Sequence, residues 1–122
     1  MAEPFTQMLT DLVDKTSGAV GAAFIDSYGE AVQCYASDAE EDEHIRLMGA
    51  YQGIALQTSR GIIDQLQAGT IDYCYTSYET VSFLIKALQQ EYFLMMVLSP
   101  DANVGQGIYY LRQIAADFNR EI

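Results

Sequence analysis

The stretch Glu91-Tyr92-Phe93-Leu94-Met95-Met96-Val97-Leu98-Ser99 decides the fold. From Tyr92 to Leu98 it is apolar at odd and even positions alike. Successive side chains of a strand point to opposite faces, so a strand apolar at both parities is a central one, covered on both sides. Helices must therefore lie on both sides of its sheet. Two more strand candidates precede it, Ile71 to Tyr78 and Thr80 to Leu88, with connections so short that neighbouring strands must run antiparallel. After Pro100-Asp101 the apolar spacing changes. Val104, Ile108, Leu111, Ala115 and Phe118 mark one face of a closing helix, with Asp117, Asn119 and Arg120 among its polar positions.

Upstream of the meander, residues 40–68 contain no proline and no cluster of turn residues, which predicts one long helix. Asp38 followed by Glu41 resembles a capping box at its start, and Gly69 is the expected stop. Ile45, Met48, Ala55, Ile62 and Leu66 are assigned to one face, and Leu47, Tyr51, Ile54 and Thr58 to a second, adjoining face. Two apolar faces call for two packing partners. Gly49, Gly53 and Gly61 each cost roughly 1 kcal/mol of helix propensity relative to Ala, which is understandable if something packs close to the backbone there. Earlier still, Ala19 to Asp26 and Glu30 to Ser37 read as a β-hairpin closed by Ser27-Tyr28-Gly29. Phe5, Met8, Leu9, Leu12 and Val13 form the stripe of a first helix that Pro4 can open and Ser17-Gly18 can close. The order is α-β-β-α-β-β-β-α, a three-layer α+β arrangement. With no linker, repeat or low-complexity segment, it is expected to be a single domain over residues 1–122.

Composition narrows the function. Six Lys+Arg stand against 17 Asp+Glu in 122 residues, a net charge of −11. Lys15, Arg46, Arg60, Lys86, Arg112 and Arg120 are scattered singly, which argues against nucleic acid and against an anionic membrane surface. The longest apolar run falls far short of the ~20 residues that span a bilayer, and the start Met-Ala-Glu-Pro has neither a positive n-region nor an h-region, so a soluble, cytoplasmic protein is expected. Cys34 and Cys74 have no CxxC or Cys/His spacing; they read as small, buried, reduced side chains, with a single disulfide possible but unneeded.

Chemistry finds little support. His44 is the only histidine, which excludes two-histidine catalysis and His-based metal clusters. The run Asp38, Glu40, Glu41, Asp42, Glu43 lacks the alternating ligands and mid-loop Gly of a calcium loop, and suits the positive end of a helix dipole instead. Gly18-x-x-Gly21 and Gly105-x-Gly107 are not phosphate loops. No set of nucleophile, base and oxyanion donors converges, so neither an enzyme nor a cofactor is expected. Tyr73, Tyr75 and Tyr78 crowd the first strand of the meander. Two readings stand side by side: an edge intended for pairing with another chain, or tyrosines packed under the protein's own helices.

This element order resembles that of the Roadblock/LC7 family, whose bacterial branch includes the MglB-like regulators of small Ras-like GTPases. The resemblance runs from about Phe5 to Phe118. It rests on the first helix, on Gly21-Ala22-Ala23-Phe24-Ile25-Asp26-Ser27-Tyr28-Gly29 as an "apolar strand, Asp, turn, Gly" hairpin, on the long second helix, and on Asn103-Val104-Gly105 opening the last one. It implies a profilin-like α/β/α fold with strand order 2-1-5-4-3, the second helix on one face and the terminal helices on the other. It implies a homodimer in which third strands join edge to edge, through Ile71, Tyr73 and Tyr75. The second helices would pair through Tyr51, Ile54 and Thr58, beside Gly53 and Gly61. It further implies a scaffold without an active site of its own that binds a Ras-like GTPase and promotes its GTP hydrolysis, in cell polarity or motility signalling. Arg46 and Arg60 are the second helix's candidates for a GTPase contact, though isolated helix arginines usually serve solubility. The alternative is a small-molecule sensor of the PAS or GAF type, which usually breaks the segment after strand two into several short helices around a pocket.

Overall fold

The computed structural model describes residues 2–122. Its elements are α1 (Ala2–Lys15), β1 (Ala19–Ile25), β2 (Ala31–Ala36), α2 (Asp42–Leu66), β3 (Tyr73–Ser77), β4 (Ser82–Ala87), β5 (Phe93–Leu98) and α3 (Val104–Glu121). The five strands form one antiparallel sheet in the order β2-β1-β5-β4-β3. β5 lies at its centre, and all six of its residues are buried. Leu94, Met96 and Leu98 pack with Leu9, Leu12 and Val13 of α1 and Leu111, Ala115 and Phe118 of α3. Phe93, Met95 and Val97 pack on the other face with Ile45 and Leu56 of α2. Alternation along one strand thus feeds two separate cores, as the apolar run requires.

The β1–β2 turn shows what its Asp and Gly do. The Asp26 carboxylate accepts hydrogen bonds from the backbone N–H groups of Tyr28 (2.9 Å) and Glu30 (3.0 Å). Gly29 sits at φ +85°, a conformation that costs glycine nothing. α1 begins before Pro4, which lies in the first turn, where its missing N–H has no partner to lose.

Three expectations about α2 change. Asp38 caps a single 3-10 turn, Ala39–Glu41, by accepting from the N–H of Glu40, and no side chain caps α2 itself. The helix stops at Leu66, before the expected Gly69: Gln67 takes the left-handed conformation (φ 54°), and the N–H groups of Gln67 and Ala68 return to the carbonyls of Asp64 and Ile63. The core face of the helix is also drawn differently. The residues that α2 buries are Ile45, Gly49, Gly53 and Leu56, while Ala55, Ile62 and Leu66 are exposed.

Glycine makes that face possible. A Cβ at Gly49 would lie 2.7 Å from Cδ1 of Ile25, and one at Gly53 would lie 3.3 Å from Cε1 of Phe93. Gly21 of β1 receives Ile45 in the same way, at 2.7 Å. Gly61 has nothing within 4 Å, so close packing accounts for two of the three glycines of α2.

Candidate interaction surface

The outward face of α2 is apolar as well. At 100° per residue, Leu47, Tyr51, Ile54, Thr58 and Ile62 fall within about 80° of one another, on the side away from Ile45, Gly49 and Leu56. Tyr51 and Ile54 are 63% and 64% exposed. Residues 47–59 carry no charge in a chain of net charge −11. The second apolar face is therefore opposite the core, whereas the sequence reading made it adjoining. Gly53 belongs to the core side, not beside this stripe.

β3 is the edge of the sheet on one side, and among the described residues its one strand partner is β4. Their register, Tyr73↔Lys86 through Ser77↔Ser82, is unbroken. Tyr75 lies opposite Leu84, which belongs to the core under α1 and α3, so Tyr73 and Tyr75 stand on that face and Cys74 and Thr76 on the α2 face. The strand is shorter than expected. Ile71 lies before it, half-buried against the α2-side core. The two readings of the tyrosines are each met in part: Tyr73 and Tyr75 remain 38% and 43% exposed, yet the Arg112 guanidinium of α3 lies 5.1 Å from the Tyr73 ring centroid. α2 and β3 border a common groove, lined by Gln52, Ala55, Leu56 and Ser59 on one side and Cys74 and Thr76 on the other.

Asp72 joins three elements. Lys86 of β4 donates to both its carbonyl and its Oδ1 at 3.0 Å, and Arg112 of α3 donates to Oδ2. The Lys86 bond, then that from Arg112, holds this carboxyl below the ordinary carboxylate range. Nothing in the sequence marked Asp72 or Arg112, because residues 40 apart with no shared motif meet only through the fold.

The opposite edge carries a different network. The Cys34 thiol donates to Asp42 (2.9 Å), whose other oxygen accepts from Arg46 Nε (3.1 Å), and Arg46 Nη1 reaches the carbonyl of Ala31 in β2 at 3.4 Å. Burial, then the Asp42 carboxylate, pushes the Cys34 thiol up to about 12, while the thiol and Arg46 together lower Asp42. Both cysteines are free; Cys74 is only half-buried. Arg60 is mostly buried, with Nη1 4.0 Å from Glu91. Neither arginine lies on the outward stripe. His44 pairs with Glu41 at 2.7 Å on the surface. Among the described residues, no group of acids, His and Cys could hold a metal ion, and no helix is long and apolar enough to cross a membrane.

The sheet order and the two helical layers define a Roadblock/LC7 fold. The chain is similar to a Roadblock/LC7 domain from Streptomyces avermitilis, at a TM-score of 0.84 and 10% identity over 94% of both chains. It is also similar to MglC from Myxococcus xanthus, with 28% identity over 97% of this chain and 98% of that one, at a TM-score of 0.69. A third likeness is to an MglB with a tetrameric arrangement, at a TM-score of 0.86 and 13% identity, over 97% and 87% of the two chains. No protein-family model matches the chain, and no curated protein matches it in sequence.

Proposed function

We propose that the protein is a homodimeric scaffold that binds a small Ras-like GTPase and acts on it without an active site of its own. One observation carries the reading: in a chain of net charge −11 the outward stripe of α2 and the open edge of β3 are both uncharged, and the two elements flank one groove through Gln52, Ala55 and Ser59 of α2 and Cys74 and Thr76 of β3. Exposed apolar surface of this kind marks a contact site, and its freedom from charge lets two acidic chains meet without opposing carboxylates. Tyr51, Ile54 and Thr58 would pair the helices. Tyr73 and Tyr75 would join the sheets, with Ile71 behind them in the core. The likeness to MglB and MglC proteins supports a regulator of the Roadblock type. A GTPase would then be held by the assembled surface, with Arg46 and Arg60, the two cations of α2, as its candidate contacts outside the outward stripe.

Light scattering at micromolar concentration should find two chains per particle; a stable monomer overturns the platform. Calorimetry with a Ras-like GTPase, loaded with GDP or with a non-hydrolysable GTP analogue, should show preference for the GTP form at two chains per GTPase. Equal affinity for both forms removes the hydrolysis-promoting role and leaves a scaffold. Absence of binding to either overturns the GTPase assignment.

A further inference from the structure

We infer that Asp72 and Arg112 are positioning residues that hold Tyr73 as a preset anchor for the β3 edge of a second copy of this chain. The inference rests on the self-association in the proposed function and adds to it an arrangement on the sheet face away from α2.

Two of the chain's six cations, Lys86 and Arg112, converge on the one carboxylate that precedes the first residue of the open edge. Exposed ion pairs add little to stability, so fold stability alone is a poor account of such an investment of cations. Placement is a better one. Asp72 fixes the guanidinium of Arg112, and the guanidinium lies over Tyr73 at 5.1 Å from the ring centroid. The ring is thereby held in one orientation before any partner arrives, and an ordered aromatic loses less entropy on binding than a free one.

The occupant follows from the strand's own chemistry. Tyr73-Cys74-Tyr75-Thr76-Ser77 has no charged residue and no proline, and its outer N–H and C=O groups have no strand partner. Paired antiparallel with an identical strand, it brings Tyr73 and Tyr75 of both copies to the same face of a continuous sheet, because side chains alternate with a period of two. Each Arg112 would then flank the joined tyrosines from its own α3. Tyr and Arg are the residue types that dominate such contacts.

The test is the dimer dissociation constant by sedimentation equilibrium for the full chain and for Asp72→Asn, Arg112→Ala, Arg112→Lys and Arg120→Ala. Arg120, paired with Asp117 one turn away on α3, is the control and should leave the constant unchanged. Asp72→Asn and Arg112→Ala should weaken self-association by about 3–10-fold, with thermal midpoints in the dilute, monomeric regime unaltered. Arg112→Lys keeps the charge but not the planar face over Tyr73, and should be nearly as weak as Arg112→Ala. A dimer whose constant is indifferent to Asp72→Asn and Arg112→Ala overturns this inference and leaves the proposed function standing. So does a loss of monomer stability that accounts for the whole change, since the pair would then be merely structural. A monomeric parent protein removes the self-association on which both rest.

Discussion

The two edges of the sheet are built on different terms. At β2 the register shifts between Phe24 and Ile25, leaving Val32 as an extra residue, and both α1 and α2 pack against the strand. Arg46 also occupies the Ala31 carbonyl. Bulges, charges and covering helices are the devices by which proteins keep an edge from pairing with another chain. At β3 the register is regular, the residues are uncharged, two tyrosines stand half-exposed, and among the described residues no helix packs on the strand as α1 and α2 do on β2. Each edge has one aspartate held below its ordinary range: Asp42 by the Cys34 thiol and Arg46, Asp72 by Lys86 and Arg112. The first network reaches into the covered edge, whereas the second lies beside the open one. One guarded edge and one open edge favour an assembly that ends at two copies, because an isologous contact consumes the only free edge.

The comparison has an outer limit in the central strand. Leu94→Ala removes a fully buried side chain that serves both edges equally, and should cost about 2–5 kcal/mol in urea unfolding. A smaller loss would mean that the sheet is held mainly at its margins. Next in size is a change of edge character. Tyr75→Lys gives β3 the charge that guards natural edges and should weaken self-association by about 10–100-fold, roughly 1.4–2.7 kcal/mol, while Val32→Lys at β2 should change nothing. Equal effects in light scattering would erase the distinction between the edges.

Tyr51→Ala asks whether α2 shares the contact proposed for β3. A loss of about 1 kcal/mol in dimerisation, with the unfolding midpoint of the dilute chain unmoved, is expected. The smallest effect concerns pH. Asp42 and Asp72 have folded values below the ordinary 3.8, so their stabilisation is complete above that value and is lost as pH falls through the depressed ones. Carboxyl chemical shifts should place both transitions below pH 3.8, and Asp72→Asn should remove one without shifting the other. A coupled shift would join the two edges into one network.

Much of this architecture was legible in the chain. The double parity of residues 92–98 predicted a central strand with helices on both faces, and Ser27-Tyr28-Gly29 between two strand-like runs predicted the hairpin that forms. The two-faced character of α2 was legible too. Its facing was not: Ile62 and Leu66 resembled core residues but are exposed, and of the three glycines expected to admit a close neighbour, Gly49 and Gly53 receive Ile25 and Phe93 whereas Gly61 receives nothing. The helix end was misplaced because Gln67 adopts a backbone conformation more often given to glycine.

The sequence by itself determined the element order, the central strand and the presence of surplus apolar surface, because periodicity and turn chemistry act between near neighbours. Tertiary structure alone decided which side of α2 meets the sheet, which edge is guarded, and that Asp72, Lys86 and Arg112 converge beside Tyr73. Those outcomes depend on atoms brought together from distant parts of the chain, where close approach at a glycine or the geometry of a guanidinium selects among arrangements that local pattern leaves equivalent.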